Sequence, residues 1–318
     1  MLSSPTTTVF LGTAVWPPDL SLGLGLLGRS LARSVPTLEP QARPAWLPEP
    51  PPALQSGARL CPENRPHVLH LSPQVIESCV AAAGFSVGEF AALVFAGAMD
   101  FSEGLYAVKV RAEAMQEASD AVPSGMLSVL GRPQTKFTSA CLEAREHCQT
   151  LGIEDPVCEV ASYLFPDCRV ISGHLEALQF LQKNSSKYHF KRTKMLPVSG
   201  AFHTRLMEPA VEPLAQVLKA IDVKMPLVSV HANVSGSRYV HPKHIQQLLV
   251  KQVVSPVKWE QTMHALYERK KGSDFPRTFE VGPGKQLGAI LRSCNLQAWK
   301  SYSHVEVLEA DEAADEAL

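Results

Sequence analysis

No two of the seven cysteines (Cys61, Cys79, Cys141, Cys148, Cys158, Cys168 and Cys294) stand in a C-x-x-C pair. Their odd number and scattered spacing argue against a disulfide framework and against a zinc site, and point to a reducing compartment. An excess of charge of one sign is also missing. The formal net charge is -1 over 318 residues, so the overall balance gives no reason to expect nucleic acid as a partner, and any electrostatic partner must be met locally. No repeat of fixed period runs through the chain. A long apolar run free of charge is lacking as well. The nearest candidate, Cys79 to Met99, is long enough for a membrane helix, but Glu89 would sit near mid-bilayer and glycines interrupt its start. No membrane span is therefore expected.

What is present divides the chain. Residues 1–66 carry proline clusters such as "PEPPPALQSG" and no sustained helical or alternating pattern, which reads as a disordered leader. Within it, "LGLGLLGRSLARS" resembles a fragment of an organelle transit peptide, although Asp19, Glu39 and Glu49 flank it. From about residue 72 short apolar runs alternate with amphipathic segments, the pattern of an α/β protein. "SCVAAAG" reads as a buried strand and "GEFAALVFAG" as a helix closed by Gly97. "FSEGLYAVKVRAEAMQEAS" reads as a further helix with Ser102 as N-cap and an apolar face of Leu105, Val108, Ala112 and Met115. Residues 124–197 alternate strand and helix as a ferredoxin-like βαββαβ unit would, inserted into a larger unit formed by residues 67–123 and 198–305. Residues 306–318 form an acidic tail.

Four features could carry chemistry. Gly84-Phe85-Ser86-Val87-Gly88 fits G-x-S-x-G between a strand and a helix, a setting in which a sharp turn exposes a serine hydroxyl. The N–H of Val87, at the helix start, would point toward an oxyanion formed beside Ser86. The same glycines also suit a mere packing turn. His203, in "PVSGAFHTRLMEPA", lies between a strand-like run and a helix, where it could serve as the base or simply cap the helix. Arg111 falls within about 60° of the centre of the apolar stripe that Val108 and Met115 set on its helix. Either it faces an anion, for which its planar fork suits a carboxylate, or its stem snorkels or pairs with a structural acid. "VGPGK" lacks the glycine and the Ser or Thr that a phosphate loop requires and reads as a strand-to-helix turn.

Taken together, "GFSVGEFAALVFAGA", the arginine in "VRAEAM", "GAFHTRLMEP", "VKQVVSPVKWEQTM" and "FEVGPGKQLG" resemble the malonyl-CoA:acyl carrier protein transacylases, the mammalian mitochondrial members most closely, over roughly residues 71–303. The resemblance implies an α/β-hydrolase-like large subdomain with the ferredoxin-like insert. It implies transfer of a malonyl group from malonyl-CoA to the phosphopantetheine thiol of acyl carrier protein, with no permanently bound cofactor and no metal, in the mitochondrial matrix. Carried over residue by residue, Ser86 is the nucleophile, His203 its base, Gln252 the residue whose main-chain carbonyl orients the imidazole, and Arg111 the receptor of the malonyl carboxylate. Phe202 goes with preference for malonyl over methylmalonyl. Carrier proteins are acidic, so the basic run Lys191, Arg192 and Lys194 could dock one, or could be a solvated strand edge.

Two departures stand out. The family opens with a strand and G-Q-G-S-Q, whose glutamine lies beside the oxyanion hole, whereas no G-Q-G occurs here and the proline-rich leader takes that place. Val87 is then the one recognised oxyanion donor, and the lost strand is expected to leave the sheet edge and "AALVFAGAM" exposed. Ser162 stands where the family usually has asparagine. A catalytically impaired form that only binds acyl carrier protein is the alternative. A serine hydrolase is a further one, but no acid stands out between Ser86 and His203 to complete a triad.

Overall fold

A computed structural model describes residues 8–12, 73–270 and 272–305. Among the described residues ten strands appear in chain order: β1 (Thr8–Gly12), β2 (Cys79–Gly84), β3 (Ser124–Leu130), β4 (Cys158–Phe165), β5 (Cys168–His174), β6 (Arg192–Met195), β7 (Ser229–Val230), β8 (Val257–Lys258), β9 (Arg277–Val281) and β10 (Tyr302–Val305). They form two five-stranded sheets. One is parallel in the order β10-β9-β1-β2-β7, and the other has the order β6-β3-β5-β4-β8.

The first sheet overturns one expectation. Thr8–Gly12, within the stretch read as a disordered leader, is its central strand, paired in parallel with β2 on one side and β9 on the other. The five apolar-rich residues "TVFLG" satisfy the open edges of both neighbours, so the sheet is continuous. Accordingly, Leu93, Ala96 and Ala98 in "AALVFAGAM" are wholly buried rather than exposed. The rest of the leader and the acidic tail lie outside the described residues.

Side chains of β2 show why "CVAAAG" reads as a continuous apolar run. Cys79 and Ala82 face one hydrophobic cluster, which contains Phe90, Leu93 and Met207, while Ala81 and Ala83 face another with Val9, Trp259 and Leu287. A parallel strand covered on both faces needs apolar residues at odd and even positions alike. The second sheet begins as β3, helix Phe137–Thr150, β4, β5, helix Leu175–Lys183, β6, with antiparallel neighbours β6-β3-β5-β4, which is the ferredoxin-like arrangement. Val257–Lys258 extends it, running parallel to β4. A chain segment that follows the insert thus completes the insert's sheet. Among the described residues, no helix is long and apolar enough to cross a membrane.

Helix Phe101–Ala121 differs in detail from its sequence reading. Its N-cap is Asp100, one residue outside the helix, in a capping box with Glu103. Its buried stripe runs Gly104, Ala107, Arg111, Ala114, Met115, Ala118 and Ser119, so Met115 points inward as expected while Leu105 is exposed. Small residues win the inner face because the helix lies close to its neighbour Gly88–Phe95. A Cβ on Gly104 would come 2.5 Å from Val94 Cγ2. Arg111 lies within this buried stripe, as its spacing from Val108 and Met115 suggested.

The turn between β2 and helix Gly88–Phe95 is tighter still. A Cβ placed on Gly84 would lie 1.7 Å from the carbonyl oxygen of Gly88, a backbone atom that cannot give way. Replacing Gly84→Ala is expected to cost well over about 3 kcal/mol, in the range of severe overpacking. Urea denaturation of purified protein should show loss of the cooperative transition or a midpoint far below that of the unsubstituted chain.

Candidate active site

Ser86 sits at the apex of that turn with φ 55°, one of four non-glycine residues at positive φ among those described. Strain of this kind persists only where surroundings enforce it. Here Asn233 does so from one side, accepting the Ser86 N–H at 2.7 Å and donating from Nδ2 to the Gly84 carbonyl at 2.7 Å. On the other side Phe85 N–H donates to the Gly12 carbonyl at 3.1 Å, and the Phe85 ring meets Trp259 edge-on. β1 thus ends directly against the turn. Val87, at the N-cap of helix Gly88–Phe95, presents its N–H at the positive end of that helix.

His203 is also in the left-handed region, at φ 62°, and is buried. Its Nε2 is 2.8 Å from Ser86 Oγ, and its Nδ1 is 2.9 Å from the main-chain oxygen of Gln252. A carbonyl can only accept, so the proton resides on Nδ1 and Nε2 offers a lone pair to the serine hydroxyl. Gln252 is the last residue of helix Pro242–Gln252, so its carbonyl lacks an i+4 partner within the helix; it accepts the Ser255 N–H at 3.2 Å and keeps a second lone pair for the imidazole. Among the described residues no carboxylate stands behind the imidazole. The pair is a serine-histidine dyad oriented by a main-chain oxygen.

Arg111 Nη2 donates to Ser86 Oγ at 3.0 Å and to Gln252 Oε1 at 3.1 Å. Its Nε is buried and has no hydrogen-bond partner. An unsatisfied charged donor in a buried position is costly unless an anion is to be received there. Burial pulls the guanidinium down to about 10, against the opposing pull of Glu89, so it stays charged at neutral pH. Burial first, and then the Arg111 charge, push His203 down to about 4, which keeps the imidazole neutral and able to take a proton.

Residues 79–281 match the acyl transferase domain family. The chain belongs to that family. It is 79% identical over 246 residues, 77% of this chain, to the protein named malonyl-CoA-acyl carrier protein transacylase, mitochondrial, of Homo sapiens. The chain spans 63% of that relative's length. Among solved structures, the malonyl CoA-acyl carrier protein transacylase of Coxiella burnetii matches at 31% identity and TM-score 0.63, over 71% of this chain and 67% of that one. A malonyl-transacylase solved in complex with its type II PKS acyl-carrier protein matches at 28% identity and TM-score 0.61, over 74% and 71% of the two chains.

Within this acyl transferase domain, the structure brings Ser86, Val87, His203, Arg111 and Gln252 together. Phe202, next to His203, is half-buried and packs on two of the hydrophobic clusters. Lys191, Arg192 and Lys194 are exposed at β6, the edge strand of the second sheet. Ser162 is buried on β4 opposite Val257 of β8. "VGPGK" is a strand-to-helix turn whose helix amides are already occupied, since the buried Glu280 carboxylate accepts the N–H groups of Leu287 at 3.0 Å and Gly288 at 2.7 Å. No group of three or more histidine, cysteine or acidic residues among those described could hold a metal ion.

Sequence reasoning missed Asn233 and Tyr239, and read Glu89 only as an obstacle to a membrane span. Glu89 is fully buried and accepts from Tyr239 Oη at 2.5 Å, Asn233 N–H at 3.2 Å and Gln252 Nε2 at 2.5 Å. A lone acid in an apolar helix was the available signal; its partners are about 150 residues away in sequence.

The depressed imidazole yields a pH test. The folded value of His203, about 4, lies below the ordinary 6.5, so the native protein binds fewer protons than the unfolded chain in that interval. Its stabilising contribution is present above about pH 6.5 and is lost as pH falls through about 4. Labelling of Ser86 by an uncharged fluorophosphonate should therefore hold its rate from pH 6.5 down to about 5 and fall only near 4. A rate that titrates near 6.5 would contradict the buried neutral imidazole.

Proposed function

We propose that this domain transfers a malonyl group from malonyl-CoA to the phosphopantetheine thiol of acyl carrier protein through an ester on Ser86. The observation that carries the reading is the buried Arg111, with Nη2 3.0 Å from the serine oxygen and Nε unpartnered. A cation so close to a nucleophile suits an acyl group that ends in a carboxylate a few bonds from the reacting carbonyl.

The steps follow from the geometry. His203 Nε2 takes the Ser86 proton as Oγ attacks the thioester carbonyl, and the Gln252 carbonyl holds the resulting imidazolium by its Nδ1–H. The tetrahedral oxyanion lies at the Val87 N–H, on the helix N-terminus. The imidazolium returns its proton to the departing CoA sulfur. In the second half, His203 takes the proton of the incoming pantetheine thiol, whose sulfur attacks the malonyl-serine ester, and then protonates Ser86 Oγ. One thioester is exchanged for another, with no net redox change. Phe202 beside the histidine bounds the acyl pocket and favours malonyl over branched groups. Lys191, Arg192 and Lys194 offer an acidic carrier protein a basic strand edge. The mitochondrial names of the relatives support a mitochondrial location.

Incubation with malonyl-CoA should add a malonyl mass to the peptide containing Ser86, and added acyl carrier protein should remove it. His203→Ala should slow acylation by about 10²- to 10⁴-fold. Arg111→Ala should lower the preference for malonyl-CoA over acetyl-CoA by about 10- to 100-fold, the worth of a hydrogen bond to a charged group. Absence of an adduct on protein with native circular dichroism would leave only a carrier-protein-binding role. Release of free malonate at the rate of acylation, without carrier protein, would indicate a hydrolase.

A further inference from the structure

Glu89 touches neither the serine hydroxyl nor the imidazole in any hydrogen bond, yet it is wholly buried three residues beyond the serine. All three of its partners donate: the Tyr239 hydroxyl, the Asn233 main-chain N–H and the Gln252 side-chain amide. The Gln252 amide in turn has two ends. Its Nε2 donates to Glu89 Oε2 at 2.5 Å and to the Ser86 carbonyl at 3.0 Å, while its Oε1 accepts from Arg111 Nη2 at 3.1 Å. Were the amide rotated by half a turn, its oxygen would face the Glu89 carboxylate and the Ser86 carbonyl, and its NH₂ would face the guanidinium. Both contacts would be repulsive. An ionised Glu89, which only accepts, reinforces that orientation of Gln252, and that orientation gives Arg111 an acceptor on the side of the serine.

We propose that Glu89, held by Tyr239, is the positioning residue for Arg111: through the Gln252 amide it aims the guanidinium at the carboxylate of the incoming acyl group. The inference rests on the transacylase reading for its substrate and on the hydrogen-bond chain for its geometry. A carboxylate that served only to brace the turn would support Ser86 toward every acyl group alike. The chain here braces the turn through Asn233 and also runs, through Gln252, to the one side chain that distinguishes a charged acyl group from a neutral one. Glutamine at position 89 is the informative change, because it keeps the shape but removes the charge, so the charge-assisted hydrogen bond that holds Gln252 Nε2 is weakened and the amide is held less firmly.

The test compares the unsubstituted protein with Glu89→Gln in Ser86 acylation by malonyl-CoA and by acetyl-CoA, with fluorophosphonate labelling of Ser86 as a measure of the dyad alone. Glu89→Gln should raise the half-saturating malonyl-CoA concentration at least about tenfold more than that of acetyl-CoA. Labelling should change far less than the malonyl-to-acetyl ratio, because the Ser86–His203 contact and the Gln252 carbonyl behind it do not involve the Glu89 side chain. Equal losses with both thioesters, or no loss with either, would overturn the proposal. Tyr239→Phe, which keeps the carboxylate and removes one donor, should shift the same ratio in the same direction and by less. It supplies the comparison if Glu89→Gln does not fold, and a ratio left unmoved by it would then overturn the proposal. A crystal structure of either variant gives a readout independent of substrate. Displacement of Arg111 from Ser86 Oγ and Gln252 Oε1 supports positioning, and an unmoved guanidinium overturns it. If the unsubstituted protein takes up neither thioester while Ser86 still labels, the transacylase reading fails and this crystallographic arm still decides the role of Glu89.

Discussion

A guanidinium buried within 3.0 Å of a serine hydroxyl is the constraint around which this molecule is arranged. Removing such a charge from water is expensive, and the interior must return most of that cost through charge and hydrogen bonds. Part comes from Glu89, whose opposite charge favours the charged guanidinium, and part from Gln252 Oε1 and Ser86 Oγ, which accept its protons. The compensation is incomplete, because Nε is left without a partner. The same charge acts on its neighbours. It helps hold His203 neutral, second only to burial, so that the histidine starts as a base. Burial raises Glu89 to about 7, with Tyr239, Gln252, Asn233 and Arg111 all pulling the other way.

Those two titrations oppose one another. The contribution of His203 to stability is lost as pH falls through about 4, whereas Glu89, raised above the ordinary 4.5, contributes stability that is present below that value and lost as pH rises through about 7. A neutral imidazole and an ionised Glu89 that offsets the Arg111 charge are held together above about pH 7. Gln252 joins the two halves, with its main-chain oxygen serving the imidazole and its side chain serving the arginine.

Backbone geometry supports this electrostatic arrangement. Ser86 and His203 both occupy the left-handed region, and each is held there by groups from distant segments. Close approach makes that possible: Gly84 lets the helix start against the end of β2, and the small-residue stripe of helix Phe101–Ala121 lets Arg111 reach the serine from a neighbouring element. β1 closes the sheet beside the turn and fastens Phe85 through Gly12.

Much of the centre was legible in local pattern. A strand, a glycine-flanked serine and a helix announce an exposed hydroxyl, and the alternation over residues 124–197 announces the ferredoxin-like insert, because both depend on residues within a few positions of one another. "TVFLG" was not legible as the central strand, since five residues beside proline-rich sequence carry no periodic signal and their parallel partners lie about 70 and 270 residues away. Leu105 was placed inward by spacing alone, although packing gave that face to smaller residues. Glu89, Asn233 and Tyr239 became a network only when the fold brought three segments together. The sequence by itself determined which chemical groups the site could use, because nucleophile, base and cation are fixed by residue type. Tertiary structure alone decided the tautomer of His203, the orientation of the Gln252 amide and the aim of Arg111, because those depend on which donors and acceptors face one another across the core.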